Sequence, residues 1–151
     1  MKMMKENFKI LSEFIKDMSS ETPDIQTYLF VKDNILKYHL TIDINSKALK
    51  NKLIEVNTIL RFEDKEQSEK KSQFEIIYAT IVRIEDEVIK EKEKLKKIIL
   101  CNIQNKIYPQ LEKAFLNLLH NSGFPEVKFE KKIDFDKLYK EQLSQKNFFS
   151  S

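Results

Sequence analysis

The chain is short of the residues that most catalytic and ligand chemistry relies on. Its 151 residues include one glycine, one cysteine, two histidines and no tryptophan. A phosphate-cradling loop needs several glycines so that backbone can approach phosphate closely, which excludes dinucleotide and P-loop fingerprints and disfavours any nucleotide cofactor. Cys101 alone cannot form an intrachain disulfide, so a reducing compartment, the cytoplasm, is expected. His39, His120 and Cys101 fall in three different predicted elements without ligand spacing, so no metal site is expected. The N-terminal residues lack a continuous apolar core, and no apolar run elsewhere approaches bilayer length. Neither secretion nor membrane insertion is expected.

Charge of one sign is also missing. The formal charge of +3 is the difference between 27 basic and 24 acidic residues that are closely interspersed, so no strong positive field results and nucleic acid is a poor partner. Single-stranded nucleic acid would also require aromatics interleaved with arginine, which this sequence does not supply. Carboxylates are abundant, but they alternate with lysines on faces expected to be solvated. No catalytic acid can be named among them, and an enzyme is not expected.

What remains is a core-forming pattern sufficient for one domain, with 41% apolar and 34% charged residues. Leu36, Tyr38, Leu40, Ile42 and Ile44 alternate strictly with Lys37, His39, Thr41 and Asp43, which predicts a half-buried strand. A second alternating segment sets Ile54, Val56, Thr58, Leu60 and Phe62 against Glu55, Asn57 and Arg61, and the two predict an antiparallel pair. Residues 63–71 read as an exposed turn, and residues 73–84 return as a strand. Phe74, Ile76, Tyr78, Val82 and Ile84 share one face of it, and Ile77, Ala79 and Ile81 make the other face apolar too. That second face then needs a cover: a helix, another subunit or a client chain.

Residues 85–97, dense in Glu and Lys, predict a solvated helix. Ile107, Leu111, Ala114, Phe115, Leu118 and Leu119 follow at helical spacing, forming a stripe suited to docking on the sheet. Pro109 is expected near the helix start or at a kink, and Gly123 suits a left-handed cap at the helix end. An extended stretch over residues 127–133 leads to Asp134 or Asp136, either of which can cap a last short helix. At the other end, Phe8, Leu11, Ile15 and Met18 fit a helix, while Phe8, Ile10 and Phe14 with polar Ser12 between them half-fit a strand; periodicity alone favours the helix. The connection over residues 22–34 carries unusual apolar weight for a loop. Cys101, beside Leu100 and Ile103, is expected to be a buried thiol.

Several segments resemble the SecB protein-export chaperone family. Lys16-Asp17-Met18-Ser19-Ser20-Glu21-Thr22-Pro23 reads Lys-Asp-x-Ser-x-Glu-x-Pro, like the N-terminal signature of that family. Thr41-Ile42-Asp43-Ile44, Phe74-Glu75-Ile76-Ile77-Tyr78-Ala79, Ile107-Tyr108-Pro109, Ser122-Gly123-Phe124-Pro125 and Ile133-Asp134-Phe135-Asp136-Lys137-Leu138-Tyr139 follow in the family's order. The resemblance implies an α+β fold: a four-stranded antiparallel sheet with a long helix packed on it and a short C-terminal helix. It replaces the helix over residues 8–18 with a first strand and makes residues 22–34 a crossover between strands. One SecB-like domain would span residues 1–146, with a loose tail at 147–151.

The resemblance also implies an ATP-independent holdase without cofactor or catalytic residue, assembled as a dimer or as a homotetrameric dimer of dimers. Its clients would be unfolded preproteins passed to SecA, or the antitoxin of a toxin–antitoxin pair. Ile25, Tyr28, Leu29, Phe30 and Val31 of the crossover would line a client groove with Phe135, Leu138, Tyr139 and Leu143 of the last helix. Asp17, Glu21 and Glu75 match the family's acidic contacts to SecA's basic, zinc-bearing tail, whereas Gln73 stands where an apolar contact is usual. The family is typically acidic, and this chain has a pI near 8.8. A different class of function, an oligomeric adaptor, would instead use the second sheet face and the crossover as subunit interface.

Overall fold

A computed structural model of the chain describes residues 7–66 and 68–142. Four strands, β1 (Phe8–Glu21), β2 (Tyr38–Ala48), β3 (Leu53–Asp64) and β4 (Gln73–Ile84), form one sheet in the order β1-β4-β3-β2. Every neighbouring pair is antiparallel. The alternation read for β2, β3 and β4 has a direct structural meaning. Ile54, Val56, Thr58, Leu60 and Phe62 lie opposite Val82, Thr80, Tyr78, Ile76 and Phe74, and all ten are buried on one face.

That face is covered by a helical rod running from Lys92 to Asn121, made of α3 (Lys92–Lys97), a π-helical turn (Ile98–Asn102) and α4 (Ile103–Asn121). Ile103, Ile107, Leu111, Phe115 and Leu119 of α4 are fully buried against the sheet. A π turn leaves backbone carbonyls poorly matched to the regular ladder. The wholly buried Gln104 uses this: its Nε2 donates to the Ile99 carbonyl at 3.1 Å, and its Oε1 accepts from Thr58 Oγ1 at 2.9 Å. One amide therefore ties the helix irregularity to the middle of the sheet. Pro109 lies inside α4, beyond the helix start where its missing N–H would cost nothing.

The helix suggested by periodicity over residues 8–18 is corrected to a strand. The β1–β4 register shifts between Ile10 and Ser12 and again between Ile15 and Asp17. Each bulge adds one residue to the alternation. The inner-facing positions therefore run Phe8, Ile10, Glu13, Ile15, Met18, in steps of two and three that mimic a helical period. The strand expected from the family pattern is the one observed.

Three other expectations are refined. The crossover contains a helix, α1 (Ile25–Asn34), capped by Asp24, whose Oδ1 accepts from the Thr27 amide at 2.8 Å. Leu36, read as a buried strand position, instead sits in a 3-10 turn (Ile35–Lys37) ahead of β2 and is 80% exposed. The charged helix over residues 85–97 is two pieces, α2 (Asp86–Ile89) and α3, which interrupt each other around Glu91.

Gly123 closes α4 as expected, at φ +103°. Its amide bonds the His120 carbonyl at 3.2 Å and the Phe124 amide the Leu119 carbonyl at 3.1 Å, the paired bonds of a Schellman cap. The cap also receives the crossover: Tyr28 Oη donates to the Gly123 carbonyl at 2.9 Å, and its ring lies 5.4 Å from that of Phe124. Phe124 in turn meets Phe74, and Phe129 meets Phe62 and Phe115, so aromatic rings seal this end of the core. The last helix, α5 (Phe135–Gln142), starts where the Lys137 amide bonds Asp134 Oδ1 at 3.1 Å. No helix among the described residues is long and apolar enough to cross a membrane.

A Cβ added at Gly123 would stand 2.5 Å from Tyr28 Cε1, so Gly123→Ala combines a positive-φ penalty with a clash. We expect it to lower unfolding free energy by about 1–3 kcal/mol in urea titration. The loss should shrink in a Tyr28→Ala background; equal losses in both backgrounds would contradict this packing.

Candidate functional site

The face of the sheet away from the rod has no helix on it among the described residues. It is finished by polar pairing around a thin apolar strip. Arg61 donates to Glu75 at 2.6 Å and to Asp43 at 2.9 Å, Lys16 reaches Glu55 at 2.7 Å, and Asn57 bonds both Asn45 and Glu55. The Arg61 guanidinium is held above its ordinary pKa chiefly by Glu75, and Glu55 is held below its own chiefly by Lys16. Phe14, Ile59, Ile77 and Ile81 lie in register among these ions.

The three acids expected to meet SecA are brought together on this outer face. Asp17 sits opposite Ile77, Glu75 opposite Ser19, and Glu21 opposite Gln73, all on the β1–β4 ribbon. Glu21, Glu75 and Arg61 line a common depression of about 320 Å³. Glu75 shares its charge with Arg61, whereas Asp17 and Glu21 are exposed. A basic peptide would therefore meet mainly Asp17 and Glu21.

The client-binding expectation divides by burial. On α1, Ile25 and Leu29 are 66% and 57% exposed, and Phe30 is also exposed. Leu36, beyond the end of α1, is exposed as well, so this stretch of chain shows more apolar side chains to solvent than scattered surface residues require. Tyr28 is half-buried and pinned to the helix cap, with Lys32 Nζ 5.8 Å above its ring. Val31 and Phe135 are corrected to core residues: Val31 is completely buried, and the Phe135 ring packs on Tyr108 at 5.4 Å. Both side chains point from their helices into the core. Leu143 lies outside the described residues.

Leu138 and Tyr139 are half-buried on α5. Leu138 lines a groove of about 780 Å³ whose apolar floor includes Leu36, Leu40, Ile42, Phe129 and Ile133. Tyr139 instead holds α5 in place, its Oη donating to the Glu93 carbonyl at 3.3 Å. The groove runs between β2, an outer strand of the sheet, and the segment over residues 126–133. Sequence reasoning missed its floor because Leu40 and Ile42 read as ordinary strand core; their half exposure follows only from β2 being at the edge. The same holds at the opposite edge, where Leu11, Phe14, Ile15 and Met18 of β1 are exposed.

Cys101 is buried and donates to Asp136 at 2.9 Å; desolvation, and then the carboxylate, push its pKa up to about 11, which disfavours the thiolate. Tyr78 is pushed up to about 12 by burial and by Glu13. Among the described residues no three acidic, histidine or cysteine side chains cluster to hold a metal.

Comparisons with known proteins agree along nearly the whole chain. The family model described as preprotein translocase subunit SecB matches residues 2–146. A Pelagibacter ubique relative that carries the SecB name is 62% identical, across 93% of this chain and all of its own. The protein-export protein SecB of Anaplasma phagocytophilum is 24% identical, across 94% of this chain and 96% of its own. Among solved structures, a Mycobacterium tuberculosis SecB-like chaperone in complex with an antitoxin peptide has the same fold. It superposes with a TM-score of 0.57 at 10% identity, over 85% of this chain and 92% of its own.

Proposed function

Because the chain belongs to the SecB family, we propose that it is a holdase that keeps preproteins unfolded for export. The observation that carries this reading is the exposure of the apolar side chains Ile25, Leu29, Phe30 and Leu36, the last of which also lines the groove with Leu40, Ile42 and Phe129. Unfolded chains offer apolar side chains and unpaired backbone. Each Å² of apolar surface buried contributes about 25 cal/mol, so many weak contacts along an extended client add up. Binding that prefers the unfolded chain shifts its folding equilibrium by mass action, which needs neither nucleotide nor catalytic residue.

The export role, rather than service to one antitoxin, is favoured by the naming of the 62%-identical relative and by the acids Asp17, Glu21 and Glu75 on one outer face. These acids would take the basic tail of SecA. Self-association belongs to the β1 edge: among the described residues β1 pairs on one side only, and it exposes Leu11, Phe14, Ile15 and Met18, an edge that natural sheets cover or blunt. A second copy paired there would extend the sheet, giving the dimer or dimer of dimers. This leaves α1 and the groove free for clients, so oligomerisation supports the holdase rather than the adaptor reading. The cytoplasm, where preproteins await export, is the compartment this role requires.

The holdase reading is tested by light scattering of a denatured model protein. A stoichiometric amount of this protein should suppress aggregation without ATP. Replacing Ile25, Leu29, Phe30 and Leu36 together by Ser should abolish suppression while leaving the fold intact, since exposed positions contribute little to stability. Full suppression by that variant would contradict the assigned surface.

The SecA reading is tested by titrating a SecA C-terminal peptide with its zinc. Asp17→Lys with Glu21→Lys should weaken binding by roughly tenfold or more at low salt. Unchanged affinity would remove these acids from the contact.

A further inference from the structure

The outer face of the sheet places one arginine among its acids. Arg61 on β3 stands directly opposite Glu75 on β4, which in turn stands opposite Ser19 on β1. Asp17 and Glu21 lie two residues to either side of Ser19. With strands about 4.8 Å apart, each is roughly 12 Å from the Arg61 position, close to the screening length of about 10 Å at 0.1 M salt. On the other side, Asp43 of β2 is two residues from Thr41, the residue opposite Arg61.

The depression lined by Glu21 and Glu75 also takes in Glu63 and Asp64, with Arg61 and Lys71 as its cations, so carboxylates are in excess there. Asp64 accepts from the Glu66 and Ser68 amides. Arg61 donates from Nε to Glu75 at 2.6 Å and from Nη1 to Asp43 at 2.9 Å. One guanidinium thereby spans β4 and β2 across β3, making the charge-assisted bonds that a basic segment arriving from solution would make. The bridge is not sealed: the Arg61 and Glu75 side chains are 35% and 30% exposed, and Asp43 is 67% exposed. Ion pairs this open to solvent are weak, so an incoming cation can displace the guanidinium, at a cost that unoccupied carboxylates would not impose.

We propose that Arg61 is an internal competitor for the basic partner of this face: it occupies Glu75 and Asp43 in the free protein, confines the partner to Asp17 and Glu21, and so keeps the contact weak and readily released. The inference rests on the SecA reading and adds to it a residue that tunes the affinity. A residue that only fastened strands together would leave the partner's affinity unchanged when replaced.

The test is fluorescence anisotropy of the full chain with the labelled SecA C-terminal peptide and its zinc. At roughly 0.05 M salt Arg61→Gln should tighten binding about fivefold, and the gain should fall to about twofold or less near 0.5 M. Lys90→Gln removes the same charge from an exposed position beyond the far end of β4. It should leave the affinity within about twofold of the wild type. Glu75→Gln should cost more affinity in the Arg61→Gln background than in the wild type, because only there is Glu75 unoccupied. Arg61→Lys keeps the charge but loses the planar fork that spans two carboxylates, so its affinity should fall between those of the wild type and Arg61→Gln. If circular dichroism shows that Arg61→Gln does not fold, Arg61→Lys carries the test in the same sense. Unchanged or weaker binding by Arg61→Gln, or a gain matched by Lys90→Gln, would overturn the competitor role while leaving the SecA reading standing. Binding by neither the wild type nor Arg61→Gln would overturn both.

Discussion

A sheet has two apolar-capable faces, and this chain supplies one rod to cover them. The rod from Lys92 to Asn121 is committed to the inner face, held in place by Ile103, Ile107, Leu111, Phe115 and Leu119 and by the buried Gln104 bridge to Thr58. Everything else follows from that commitment. Among the described residues the outer face is closed by ion pairs instead of a helix, and neither sheet edge has a further strand partner. The crossover turns Ile25, Leu29, Phe30 and Leu36 outward while Val31 and Ile35 stay in the core.

The two edges answer this in different ways. At β1 the exposed residues lie on a long strand kinked by two bulges, a shape suited to one specific partner rather than unlimited pairing. At β2 the edge is flanked by the 3-10 turn, the segment over residues 126–133 and Leu138 of α5. These form a trough with an apolar floor and a charged rim. A protein that holds chains without acting on them needs little more than such a trough and a fold that does not change chemically while it is occupied.

The central strands, the stripe on α4, the Gly123 cap and the Asp134 cap were legible in the sequence because each depends on local pattern: alternation, helical spacing, positive φ, a short acceptor at a helix start. β1 was legible only through the family pattern, since its two bulges turn a period of two into one that passes for a helix. Of the residues proposed to meet a client, Ile25, Leu29 and Phe30 are exposed and Leu138 lines the groove, but Val31 and Phe135 are core, because composition shows that a segment is apolar and not which way each side chain turns. Leu36, Leu40 and Ile42 were missed for the converse reason: whether a strand residue is covered depends on the strand's place in the sheet, which pairing over long sequence separations decides.

The account stands on the claim that α1, the start of β2 and the segment leading into α5 form one client-holding surface. Hydrogen–deuterium exchange of the full chain, with and without an unfolded client in excess, tests this most directly. Client binding should slow exchange in residues 25–42 and 126–138 and leave β3 and β4 unchanged. Protection confined to residues 8–21, or none anywhere, would contradict it.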